Sequence, residues 1–374
     1  MPLFPDVPRH FMGPSTWSES EFGYYARSGR PYAARVRALI EEWFTAYPRA
    51  HQEELRAGFE SNFNSAFFEL TICALLQRLG CTVDVHPQLA NTGSLPDFLA
   101  TPNDGSEPFY VEAVVVEDMS DEQRRFEEWK RRYLDAFNTL EYPRLWFLMN
   151  GLDGKPRGPF PVRRVRDFID SLVSSVDPAV LKEKMDDPNA REVAAGTFMR
   201  DGVSFRLTIL TRPASLRGNT DVRPLASSPG GVAWGDRSPS LISAIDRKAT
   251  GYGVPDHPFV VAVNALSRWG VDEPTIYSAL VGELNEGAIF YHKGAVQNTR
   301  LTGVLVAFAL YPTNVPVCPA KLYLHPEPAR ELAGPLLRLP KALVVQRQFV
   351  STSGLSLGDV LGLPDTWVPR TFTD

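Results

Sequence analysis

The feature that most constrains this chain is a series of three carboxylates set in apolar surroundings: Glu69, Asp97 and Glu112. Glu69 interrupts the run Phe67-Phe68-Glu69-Leu70-Thr71-Ile72, which reads as a helix. Asp97 follows a proline in Leu95-Pro96-Asp97-Phe98-Leu99. Glu112 breaks a strand-like run, Phe109-Tyr110-Val111-Glu112-Ala113-Val114-Val115-Val116. An ionised carboxylate among apolar side chains is costly unless it is paired or coordinates a metal. The breaker cluster Pro102-Asn103-Asp104-Gly105-Ser106 turns the chain back between the last two acids. The return is a hairpin, so Asp97 and Glu112 can lie side by side on paired strands.

The flanking pattern supplies the remaining elements. Residues 1–30 read as an irregular arm. Pro31 opens a helix in which Val36, Leu39, Ile40, Trp43 and Phe44 recur at helical spacing, ending near Tyr47-Pro48. A second helix spans about His51 to Phe59. Ser61 or Asn62 caps the helix that carries Glu69, and Gly80 stops it. That helix is apolar almost all round and is therefore expected to be buried. Thr82 to His86 alternates as a strand. After the hairpin comes a helix over 121–140, with Phe126, Trp129, Tyr133 and Phe137 as its apolar stripe. Arg124, Arg125, Arg131 and Arg132 fall roughly opposite, and Lys130 flanks the stripe. A short strand at Leu145–Met149 closes an α-β-β-β-α-β order near residue 152.

Beyond it the pattern predicts helices at about 162–175 and 239–251, and strands at about 204–211, 258–264, 302–310 and 320–324. Connections rich in Gly and Pro lie near 151–161 and 213–239. The second holds Ser227-Ser228-Pro229-Gly230-Gly231, expected to be an exposed, mobile loop. The divisions are an N-terminal arm and helices over 1–60, a core over 61–152, and an α/β C-terminal region over 153–374.

The order helix-Glu, Pro-Asp, strand-Glu resembles the PD-(D/E)XK nuclease superfamily. Glu69, Pro96-Asp97 and Glu112 carry the match, over roughly residues 61–152. The segments Phe68-Glu69-Leu70, His86-Pro87, Pro96-Asp97-Phe98 and Glu112-Ala113 are also similar to those of a group of uncharacterised bacterial proteins. The resemblance implies an α/β fold, with a restriction-endonuclease-like mixed-sheet core and an α/β C-terminal elaboration. It also implies that Asp97 and Glu112, helped by Glu69, hold Mg²⁺ or Mn²⁺, which lowers the pKa of a water and stabilises charge on a phosphate being cleaved. The implied partner is nucleic acid, DNA rather than RNA. The superfamily places a lysine two residues after the last acid, where this chain has Val114. Lys130 is the stand-in the series would use, and its ordinary alternative is a solvated helix lysine.

Two other functions fit the same residues. One is a catalytically inactive, nuclease-derived binding or assembly module, which Val114 and a net charge of −5 favour. The other is a hydrolase of a non-nucleic substrate with Glu69 and Glu112 as an acid–base pair. His86 could line the same cleft, or simply form a hydrogen bond at a strand end. The six histidines show no zinc-like spacing along the chain. Lys248 reads as structural, with pointing to a ligand as its alternative. Gly354-Leu355-Ser356-Leu357-Gly358 matches a nucleophile elbow literally, but no histidine follows His325 to complete a triad.

Apolar residues make up 44% and charged residues 22% of the chain, enough for a substantial core. No apolar run approaches the roughly 18 residues that a membrane helix needs. The first residues show neither the basic nor the apolar region of a signal peptide. Cys73, Cys81 and Cys318 suit a reducing compartment, with Cys73 as a small core residue. A cytoplasmic location is expected, without a membrane, and with a homodimer or a protein partner as possible assemblies.

Overall fold

The computed structural model describes residues 1–88, 95–117, 121–154, 160–217, 223–227, 238–266, 271–283 and 287–367. The predicted loop around Ser228-Pro229-Gly230-Gly231 lies outside them. The chain begins with the helices α1 (Glu21–Arg27), α2 (Pro31–Ala46), α3 (Gln52–Ser61) and α4 (Phe63–Arg78). Strands β1 (Cys81–Val85), β2 (Phe98–Pro102) and β3 (Phe109–Glu117) follow. Next come α5 (Asp121–Asn138), β4 (Leu145–Gly154), α6 (Val162–Ser174), α7 (Pro178–Asp186), β5 (Glu192–Arg200), β6 (Val203–Thr211) and β7 (Leu225–Ser227). The chain continues through α8 (Ser238–Thr250), β8 (Phe259–Leu266), α9 (Glu273–Leu280), β9 (Tyr291–His292), β10 (Ala295–Val296) and β11 (Gly303–Phe308). It ends with β12 (Ala320–Leu324), β13 (Lys341–Val345), β14 (Gln348–Thr352) and α10 (Leu357–Leu361).

The protein is α/β and divides into two units, both discontinuous in sequence. The first comprises residues 1–10, 25–118 and 234–374. It is built on an eight-stranded mixed sheet of order β1-β2-β3-β8-β11-β12-β13-β14. β1, β2 and β3 form an antiparallel meander, with Phe98 opposite Val111. β3 then runs parallel to β8, and β8 parallel to β11. All eight residues of β8, Phe-Val-Val-Ala-Val-Asn-Ala-Leu, are buried, as expected of a parallel strand covered on both faces.

Glu112, Val114 and Val116 alternate onto one face of β3. There Val114 and Val116 pack with Leu241, Ile245, Ala249 and Tyr252 from α8 and its end, and with Ile276 and Leu280 of α9. α4 lies against β1 and β3. Eleven of its side chains are buried, in keeping with the all-round apolar pattern, and Asn62 caps it by accepting the Ser65 N–H at 3.4 Å.

The second unit comprises residues 11–24 and 119–233. Its four-stranded sheet has the order β5-β6-β4-β7. Its core joins Tyr133 and Phe137 of α5 to Phe147, Phe198 and Phe205 of the sheet and to Val165 and Ile169 of α6.

The expected helix-to-strand order therefore closes differently. Sequence spacing groups α5 and β4 with β1–β3 up to residue 152, but β4 pairs with β6 and β7 in its own sheet. The strand beside β3 is β8, preceded by α8. The supposedly irregular arm contains α1. Among the described residues, no helix is long and apolar enough to cross a membrane.

Candidate functional site

Glu112 is the most constrained of the predicted acids. It sits mid-strand on β3 with 1% of its surface exposed. A carboxylate that deeply placed needs donors on both oxygens. Its Oε1 is ion-paired with the Lys248 ammonium. Its Oε2 accepts from the Tyr252 hydroxyl at 2.7 Å and from the Asp97 backbone N–H at 3.1 Å. Asp97 returns the contact: its Oδ2 accepts from the backbone N–H of Ala113 at 2.7 Å. Each acid thus bonds the strand that carries the other, and this locks the pair across the β2–β3 hairpin. Among the described residues, no protein donor reaches the second oxygen of Asp97.

Glu69 approaches from α4, half-buried, and its Oε1 accepts from the Tyr47 hydroxyl at 2.6 Å. Burial, above all, raises the Glu69 carboxyl above the ordinary carboxylate range. The Tyr47 hydrogen bond and His86 pull it down, while the charges of Glu54 and Glu112 push it up. Asp97 is pushed further, to about 8. Its chief cause is burial, followed by the charge of Glu112. The Ala113 N–H and Lys248 oppose the rise, and Glu69 adds to it. The fold therefore locks Asp97 and Glu112 together and sets Glu69 near enough for its charge to act on Asp97. Such crowding of carboxyls favours either a shared proton or a cation among them. Tyr47 and Tyr252 keep their protons: burial and the carboxylates they face raise both hydroxyls.

Lys248 and Tyr252 are the members that sequence reasoning did not assign. They lie four residues apart, Lys248 in the last turn of α8 and Tyr252 just beyond it. Both fall on the stripe of Leu241, Ile245 and Ala249 that packs on β3. The available signal was a lysine within that stripe rather than opposite it. Val114 has the side of the strand that a motif lysine would use, and its methyls pack among the α8 and α9 side chains instead.

Lys130, the expected stand-in, belongs to the second unit. There it is buried, with its ammonium 3.7 Å from Glu127 one turn earlier on α5. His86 follows β1, and its backbone N–H donates to the Asp97 carbonyl at 3.0 Å. Cys73, Cys81 and Cys318 are all buried free thiols. The chain matches no family model, no curated protein and no solved structure.

Proposed function

We propose that this chain is a divalent-metal-dependent phosphodiester hydrolase acting on nucleic acid. Asp97, Glu112 and Glu69 form its metal site, and Lys248 supplies the amine absent at Val114. The single observation that carries this reading is the joint hold on Glu112: Lys248 and Tyr252 from one helix, and the Asp97 amide from the hairpin partner. Topology supports it. α4, β1, β2, β3, α8 and β8 follow one another within the first unit as helix, three strands, helix and strand, with residues 119–233 of the second unit inserted between β3 and α8. That is the element order of the restriction-endonuclease-like core, which the acid series resembles.

The donor set fits the implied ion. Three carboxylates with an unbonded Asp97 oxygen are the hard oxygen ligands that Mg²⁺ and Mn²⁺ take. When bound, the ion supplies Lewis-acid polarisation of the phosphate and activation of a water. The chain's own groups do the rest. The pull of Lys248 and Tyr252 on Glu112 fixes that carboxylate against β3 and keeps it from rotating. The Ala113 N–H holds one oxygen of Asp97 and so fixes the carboxylate beside β3. The Lys248 side chain is 30% exposed, and its ammonium stands beside Glu112 with donor capacity left to bind a phosphate oxygen or to position a water. Glu69, held by Tyr47, completes the set from the helix.

Titration calorimetry with Mg²⁺ and Mn²⁺, paired with cleavage assays on DNA and RNA, tests the reading. Wild type is expected to bind the ion and to cleave, and Asp97→Ala to lose both. Absence of divalent binding by wild type contradicts the metal site. Binding without cleavage of any nucleic acid favours the binding-module function over the hydrolase.

A further inference from the structure

Along the chain, His51, Glu54 and His86 have no metal-like spacing. In space their ligand atoms all lie within 4.8 Å of one another. His51 closes a 3₁₀ turn, Arg49–His51, at the head of α3, and Glu54 lies in the first turn of that helix. Their separation of three residues puts both on one side of it. Glu54 Oε2 lies 3.8 Å from His51 Nδ1 and 3.5 Å from His86 Nδ1. The two imidazoles meet edge to face, with ring centres 5.3 Å apart. Neither ring is buried, and the Glu54 side chain is 68% exposed, so the cluster is open to solvent.

The backbone at His86 also bears on where its ring lies. Its φ is +50°, in the left-handed region that glycine enters at no cost and other residues enter rarely. Here the conformation ends the ladder of β1 and turns the imidazole toward α3. It is fixed by the hydrogen bond from the His86 N–H to the Asp97 carbonyl.

We infer that His51, Glu54 and His86 form a binding site for a zinc-class divalent cation, separate from the all-carboxylate site. Two imidazoles and one carboxylate are the ligands that Zn²⁺ and Co²⁺ take in preference to Mg²⁺, which selects oxygen donors and water. Ligand bonds of about 2.0–2.1 Å place tetrahedral donor atoms about 3.3 Å apart. The Glu54–histidine separations of 3.5 and 3.8 Å already approach that figure, and no two of the three ligand atoms are more than 4.8 Å apart. Three protein ligands leave a coordination position for water or a ligand oxygen. The site borders the acid cluster through Glu69, which senses the charges of His86 and Glu54 as well as that of Glu112. The assignment does not depend on phosphodiester hydrolysis.

Calorimetry and Co²⁺ absorption spectroscopy on the chelator-treated full chain test it, with Zn²⁺ and Co²⁺ as probes. Wild type is expected to bind Zn²⁺ at this site and to give the intense visible bands of tetrahedral Co²⁺. His51→Gln and His86→Asn should weaken that binding at least 10-fold, and asparagine tolerates the left-handed backbone at position 86. Glu54→Gln, at a position whose side chain is 68% exposed, should weaken it in the same direction. Asp97→Asn should leave it unchanged, which separates this site from failure of the carboxylate site. Zn²⁺ affinity and stoichiometry unchanged in Glu54→Gln and His51→Gln, or no Zn²⁺ binding by wild type, overturns the inference.

Discussion

A carboxyl pushed up to about 8, as at Asp97, retains its proton at neutral pH until a cation takes its place. The consequence for stability has a definite sign. The folded value lies above the unfolded value of 3.8, so between the two the folded chain binds the extra proton. Stability from this group is complete below about pH 4 and is lost as pH rises through about 8. Asp97→Asn keeps an oxygen for the Ala113 N–H and removes the charge. In chelator, it is expected to be more stable than wild type by about 1–2 kcal/mol at pH 8.5, with the gap closing toward pH 4. Urea melts at the two ends of that range check it, and a gap independent of pH would contradict it. The acids were legible in the sequence because each interrupts an apolar run. Lys248 was not, because its partner Glu112 lies 136 positions away. Its place within the apolar stripe of α8 is the one local sign, and that sign does not name the partner. His51 and His86 likewise come together only through the packing of α3 beside the end of β1.

At the scale of elements, the helices with strong ends were readable. α2 starts at its proline, and α4 runs from the Asn62 cap to Gly80, whose φ of +91° is the left-handed stop expected there. The β13–β14 hairpin was less visible. Its two-residue turn places Gln346 and Arg347 both at positive φ, a conformation that Asn-Gly usually announces. The stretch Leu343–Val350 therefore reads as one strand rather than two. The Gly354–Gly358 match to a nucleophile elbow has a packing cause. A Cβ at Gly354 would run into the Leu339 backbone, and one at Gly358 into the Pro316 carbonyl. Ser356 forms a capping box with Asp359 at the start of α10. Ser356→Ala is accordingly expected to cost about 1 kcal/mol of stability. It should leave hydrolytic activity at the wild-type level. Thermal melts and a cleavage assay check the two halves, and loss of activity in the folded variant would contradict the capping role.

At the scale of the whole molecule, the α/β class followed from alternating helical and strand patterns. The division into units did not, because the chain leaves the large sheet after β3 and rejoins it at β8. α5 and β4 have the periodicity that a continuing core would show. Only their pairing with β6 and β7, and the aromatic packing of Tyr133, Phe137 and Phe205, assigns them elsewhere. That excursion is why Lys130 looked like the stand-in amine, while α8, more than a hundred residues later, carries Lys248 to Glu112. The most direct test of the account is therefore a comparison of lysine variants in Mn²⁺-dependent cleavage of DNA and RNA. Lys248→Met is expected to lose at least about 100-fold in rate, Lys248→Arg to recover part of it, and Lys130→Met to cleave like wild type. Full activity in folded Lys248→Met, or its loss in folded Lys130→Met, would contradict the account.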